Sequence, residues 1–144
     1  MKREQKERIE IKMGCDSRNE AFARAVTAAF LIRLDPTVEE TEDIKTAVSE
    51  AVGNAILHGY DGEEGDVTLI LDAVGKEVII HVIDQGVGIP DVAKAREPLY
   101  TTKPTEDRSG MGFYFMEAFM ESVDVVSEPG EGTKVTMKKT IGRR

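Results

Sequence analysis

Val78-Ile-Ile-His-Val-Ile-Asp-Gln-Gly-Val-Gly88 runs an apolar segment into a carboxylate and follows it at once with two glycines. The run from Val78 to Ile83 is apolar enough for a central strand, so Asp84 is expected at the edge of a buried cavity. A carboxylate there can accept from the exocyclic amine of adenine, whereas guanine presents an oxygen at that place. Gly86 and Gly88 would let the backbone pass close under a flat base. A tight acidic turn after a strand uses the same residue types, and on this stretch alone the two readings stand level.

Working outward, Val67 to Ala73 pairs with Val78 to Ile83 through a short turn at Gly75-Lys76, the pattern of a β-hairpin. Val123 to Ser127 and Thr133 to Lys139 form a second hairpin around Glu128-Pro-Gly-Glu-Gly132. Near the start, Ile9, Ile11 and Met13 alternate with charged residues, as in a half-buried strand. Ser17-Arg-Asn-Glu20 is a capping-box pattern, and the helix it opens carries Phe22, Val26, Phe30 and Leu34 before Asp35-Pro36 closes it. Thr37-Val-Glu-Glu40 repeats the pattern for a longer helix with Ile44, Val48, Ala51 and Ala55 as its core stripe and Gly59 as its stop. A last helix holds Phe113, Phe115, Met116, Phe119 and Met120. Helices and hairpins in this order predict an α+β two-layer sandwich, a mostly antiparallel sheet with helices on one face.

The bulk properties limit the function. With 144 residues the chain reads as one domain over residues 1–144, with no repeat or linker to mark a boundary. The net charge of −8 argues against nucleic acid as the principal partner and is compatible with docking onto a basic protein. No apolar run is long enough to cross a bilayer, no secretory signal is evident, and the single Cys15 fits a reducing, cytoplasmic setting.

Two further segments carry chemistry. Glu50 and Asn54 are four apart on a helix, so their side chains stack on one side, with His58 next in the row. An amide oxygen is a suitable hard ligand for Mg²⁺, which keeps waters and phosphate oxygens as its other partners. Alone, the row reads more simply as a solvated polar face, and His58 as a C-terminal residue near exposed carbonyls. Gly110-Met-Gly112 precedes a helix whose free N–H groups form an anion site, with Thr101, Thr102, Lys103, Arg108 and Ser109 supplying donors and charge upstream. A hinge loop would look the same. The segment from Pro98 to Ser109 is long and irregular, as lids are. Thr133 could hydrogen-bond a base directly or through water, or serve only as a strand-favouring residue.

Side by side, Glu50-Ala-Val-Gly-Asn54, Asp84-Gln-Gly86-Val-Gly88 and Gly110-Met-Gly112 resemble the N, G1 and G2 boxes of the GHKL superfamily of ATP-binding domains. Ser49-Glu-Ala-Val-Gly-Asn-Ala-Ile-Leu-His-Gly-Tyr60 and Pro98-Leu-Tyr-Thr-Thr-Lys-Pro104 look much like the anti-sigma serine kinases, the sporulation branch above all. The likeness runs from about Phe22 to Lys138.

The resemblance implies a Bergerat fold with an ATP lid, binding ATP with Mg²⁺. It implies a homodimer that holds a sporulation sigma factor inactive and phosphorylates a serine of a STAS-domain anti-anti-sigma partner. By position, Glu50 would be the general base and Asn54 the Mg²⁺ ligand. Asp84 would meet the adenine amine, with Gly86, Gly88 and Thr133 about the base. Thr101, Thr102, Arg108, Ser109, Gly110, Met111 and Gly112 would lie along the phosphates, and Arg24 matches a partner-contact position. The competing implications are a general-stress anti-sigma kinase, a non-catalytic nucleotide-gated module and a histidine-kinase or Hsp90 type ATPase. The last is disfavoured because no histidine precedes Glu50.

Overall fold

A computed structural model describes residues 6–59, 65–86, 112–128 and 130–142. Five strands form one sheet: β1 (Lys6–Gly14), β2 (Asp66–Val74), β3 (Glu77–Asp84), β4 (Ser122–Glu128) and β5 (Gly132–Thr140). Their spatial order is β1-β2-β3-β5-β4, and every neighbouring pair is antiparallel. The helices are α1 (Asn19–Leu31), α2 (Val38–Asn54) and α3 (Gly112–Phe119). Both expected hairpins are present, the first turning at Gly75-Lys76, where Gly75 takes a left-handed φ of 59°. The lid expected over Pro98 to Ser109 lies outside the described residues.

Alternation assigns each strand two faces. Val67, Leu69 and Leu71, then Val78, Ile80 and Val82, then Val135 and Met137, are buried on the side that meets the helices. Ile44, Val48, Ala51 and Ala55 bury the matching stripe of α2, as its spacing predicts. Each large aliphatic side chain taken from water contributes about 1.5–3 kcal/mol. α2 is the central helix of the layer and packs against both α1 and α3.

The start of α2 follows the sequence closely. Thr37 Oγ1 accepts from the Glu40 N–H at 3.0 Å, and Glu40 Oε1 accepts from the Thr37 N–H at 2.9 Å, closing the capping box. Glu40 also accepts from the Gly142 N–H at 2.8 Å, which ties the end of the chain to this corner.

The start of α1 departs from expectation. Its N-cap residue is Arg18, with no side-chain cap, and the Ser17–Glu20 box does not form. Asp16 Oδ1 takes the Arg18 N–H at 2.8 Å, the Glu20 N–H reaches the Ser17 carbonyl at 3.2 Å, and the Glu20 carboxylate accepts from Ser49 Oγ on α2 at 2.8 Å, an interaction outside the box. The core stripe of α1 is also shifted. Ala23, Thr27, Phe30 and Leu31 are buried, whereas Phe22 is 50% exposed.

The opposite face of the sheet carries a polar chain across four strands. Arg8 grips Asp72 through Nε at 2.6 Å and Nη2 at 2.8 Å. His81 Nε2 lies 3.4 Å from Asp72 Oδ2, and His81 Nδ1 meets Thr136 Oγ1 at 3.1 Å. Among the described residues, no helix is long and apolar enough to cross a membrane.

Candidate functional site

The ends of β3 and β4 and the start of β5 coincide at one edge of the sheet. The register aligns Val67, Asp84, Thr133 and Ser127 in one row across four strands. An apolar face thus ends in three polar side chains. Asp84 is only 5% exposed. Burial pushes its carboxyl above the usual carboxylate range, against the opposing pull of the Gly86 and Thr133 N–H groups. The Gly86 N–H donates to Asp84 Oδ1 at 2.9 Å. A carboxylate so placed is costly to the folded chain and is relieved by any further donor that reaches it.

Two residues not singled out in the sequence shape this row. Ser127 Oγ donates to the Gly132 carbonyl at 3.0 Å and lies 2.7 Å from Thr133 Oγ1. Gly132 has a φ of +88°, and a Cβ built on it would overlap the Asp84 carbonyl oxygen and lie 2.8 Å from Gln85 Cα. Only glycine lets the start of β5 run this close to the exit of β3. A depression of about 310 Å³ beside the row is lined by Asp84, Gln85, Ser127, Glu128 and Thr133. Its lining also includes Ile83, Val126 and Lys134, so it wraps around the end of the sheet onto the open face.

The helix layer closes on the same end. The last turn of α2 carries Glu50 and Asn54, and α3 begins beside it at Gly112. A Cβ built on Gly112 would stand 2.9 Å from Asn54 Nδ2 and 3.2 Å from Glu50 Oε2. The glycine therefore admits the amide and the carboxylate against the helix start, a contact that links residues about sixty positions apart. Beyond Asn54 the chain continues as a π-helical turn, Ala55–Gly59. The Cys15 thiol donates to the Ile56 carbonyl in that turn at 3.5 Å. Burial first, then the Asp84 and Asp16 carboxylates, raise the Cys15 thiol and keep it protonated.

Arg24 is engaged rather than simply solvated. Its Nη1 donates to Ser49 Oγ at 2.8 Å, and Ser49 Oγ donates to Glu20 Oε1 at 2.8 Å. This links the first helix to the residue immediately before Glu50. Among the expected site residues, Glu50, Asn54 and Gly112 come together in the helix layer and Asp84, Gly86 and Thr133 at the sheet edge. Gly88, Thr101, Thr102, Arg108, Ser109, Gly110 and Met111 lie outside the described residues. Among the described residues no cluster of three His, Cys, Asp or Glu side chains is placed to hold a metal. A Mg²⁺ ion here would thus depend on Asn54 together with water and phosphate oxygens, the ligand set this ion accepts.

Residues 15–139 match the histidine kinase-like ATPase domain family. The chain is 52% identical over 132 residues to the anti-sigma F factor of Clostridium acetobutylicum, spanning 92% of each. It is 55% identical over 126 residues to the anti-sigma F factor of Clostridium perfringens, spanning 87% of this chain and 90% of the relative. In fold it is similar to the crystal structure of the RsbU and RsbW domains of a Mycobacterium tuberculosis protein, with a TM-score of 0.69 at 22% identity. That match covers 96% of this chain and 33% of the longer one. The catalytic domain of the histidine kinase ThkA matches with a TM-score of 0.59 at 16% identity, over 94% of this chain and 96% of that one. With a carboxylate buried at the sheet edge and an amide–carboxylate pair against a glycine helix start, the chain belongs to the histidine kinase-like ATPase family, the GHKL group, among the anti-sigma F factors.

Proposed function

We propose that this chain binds ATP, holds a sporulation sigma factor inactive, and phosphorylates a serine of a STAS-domain anti-anti-sigma partner. The observation that supports the catalytic part is the approach of Gly112 to Glu50 and Asn54, a carboxylate and an amide against a helix start, the residue types that a base and a Mg²⁺ ligand require. The sigma-factor part is supported by relatives named anti-sigma F factor at 52% identity along most of both chains. Those names favour the sporulation branch over the general-stress one. A cytoplasmic homodimer completes the proposal.

Each residue has a stated task. Asp84 accepts from the amino group of adenine, and Thr133 lies beside it in the same row. Gly86 leaves the backbone room beneath the base, and Gly88 is assigned to the same subsite. Thr101, Thr102, Arg108, Ser109, Gly110, Met111 and the N–H groups opening α3 accompany the phosphates, where a helix start favours negative charge. Mg²⁺, held through Asn54, would neutralise phosphate charge when bound. Glu50 accepts the proton of the partner's serine hydroxyl as that oxygen turns nucleophile. Arg24, braced by Ser49 and Glu20, faces the protein partner.

The test is incubation of the chain with γ-labelled ATP and a STAS-domain protein. Label on a partner serine is expected, with Glu50→Gln losing transfer while retaining nucleotide. Transfer by Glu50→Gln at the wild-type rate removes Glu50 as the base, and free phosphate without phosphoserine makes the chain an ATPase.

A further inference from the structure

Three side chains join α1 to the end of α2, and their donor and acceptor roles admit one arrangement. A guanidinium only donates, and an ionised carboxylate only accepts. Ser49 Oγ therefore takes a hydrogen from Arg24 Nη1 at 2.8 Å and gives its own to Glu20 Oε1 at 2.8 Å. The hydroxyl stands between the two charges, which are 4.0 Å apart. Arg24 and Glu20 lie one turn apart on α1, where such residues can meet directly. Closed pairs elsewhere in the molecule use another edge of the guanidinium. Arg8 holds Asp72 through Nε at 2.6 Å and Nη2 at 2.8 Å, and Arg18 holds Asp16 through Nε at 3.1 Å and Nη2 at 2.7 Å. Arg24 is tied through Nη1 instead, and its Nε–Nη2 edge makes no hydrogen bond among the described residues. Its side chain is 40% exposed.

We propose that Ser49 is a positioning residue for partner binding: its hydroxyl keeps Glu20 from closing on Arg24, and so presents the Nε–Nη2 edge of the guanidinium to an incoming protein. This rests on the reading of Arg24 as a partner-contact residue. Without the hydroxyl, the guanidinium and the carboxylate can close on each other as the other two pairs do. Stability is then retained, since a direct ion pair replaces two hydrogen bonds, but the open edge is spent within α1. A hydroxyl that only tied two helices together would act the other way, costing stability and leaving partner affinity unchanged.

Calorimetric titration of the full chain with a STAS-domain protein, in ADP and Mg²⁺ so that no transfer occurs, tests this. Ser49→Ala should weaken partner binding by about 3- to 10-fold, the worth of one hydrogen bond, with ADP affinity and melting temperature little changed. Ser49→Thr, which keeps the hydroxyl, should bind as the wild type does. Glu20→Gln added to Ser49→Ala should recover most of the loss, because a neutral amide holds a guanidinium less firmly than a carboxylate. Unchanged partner affinity in a folded Ser49→Ala chain, or a loss that Glu20→Gln does not relieve, overturns the assignment and leaves Ser49 a link between helices. Unchanged affinity in Arg24→Ala instead overturns the partner-contact reading itself, and the assignment with it.

Discussion

Asp84 is a burdened residue in the nucleotide-free chain. Its burial raises its carboxyl, so the ionised form costs stability that only a ligand donor returns. Asp84→Asn should therefore raise the melting temperature of the free protein while weakening ATP by about 10- to 150-fold, the loss of one charge-assisted hydrogen bond of about 1.5–3 kcal/mol. Thermal melts with and without ATP check both signs. The two glycines of the site fail differently. Gly132→Ala meets backbone at a left-handed φ, so it should destabilise the fold by about 3 kcal/mol or more, seen as a lower denaturant midpoint. Gly112→Ala meets the ends of the Asn54 and Glu50 side chains, which can turn aside, so phosphotransfer should fall further than stability. Asp84 was legible in the sequence because an acid ending an apolar strand is conspicuous. Gly132 was not, since a glycine in a turn has many local reasons and the close approach of β3 belongs to the tertiary fold. Ser127 takes its meaning from facing Thr133 across two strands, a matter of register that the sequence does not display.

At the scale of elements, local chemistry decided what could be foreseen. The Thr37–Glu40 box closes through bonds within four residues, and Thr37→Ala should cost about 1 kcal/mol, measurable by chemical denaturation. The Ser17 pattern failed where tertiary contact intervened: the Glu20 carboxylate that would close the box accepts from Ser49 Oγ on α2, and the Glu20 N–H reaches the Ser17 carbonyl rather than its hydroxyl. The α1 stripe holds at Phe30 and Leu34, and partly at Val26, and loses only Phe22, for a geometric reason. Residues four apart drift about 40° per step around a helix of 3.6 residues per turn, so three steps carry Phe22 off the buried face. Leu34 stayed buried because the chain had already tightened into a 3-10 turn, Ile32–Leu34. α2 keeps its stripe through mixed spacings of three and four, and that regularity brings Glu50 and Asn54 to the site. Both hairpins were legible because each joins two β-rich runs through a glycine turn.

For the whole molecule, the two faces of the sheet have divided tasks. The helix side ends in the polar row, while the open side is crossed by Arg8, Asp72, His81 and Thr136. Burial and the nearby Lys134 lower the His81 imidazole despite the Asp72 carboxylate beside it. The folded chain thus binds that proton less readily than the unfolded chain, whose histidine titrates near 6.5. The contribution of His81 is complete above about pH 6.5 and is lost as pH falls from there through the lowered folded value. Melting temperature should drop between pH 7 and 5.5, and His81→Gln should flatten that drop. A steeper drop in the variant would contradict it.

The proposed function requires distant segments to meet around a single adenine nucleotide, with Asp84 reading the base. Parallel calorimetric titration of the wild-type chain with ATP and GTP tests it most directly. ATP is expected to bind at least about 10-fold tighter, the worth of one satisfied donor against an opposed acceptor. Equal affinities for the two nucleotides, in a chain that melts cooperatively, would contradict it.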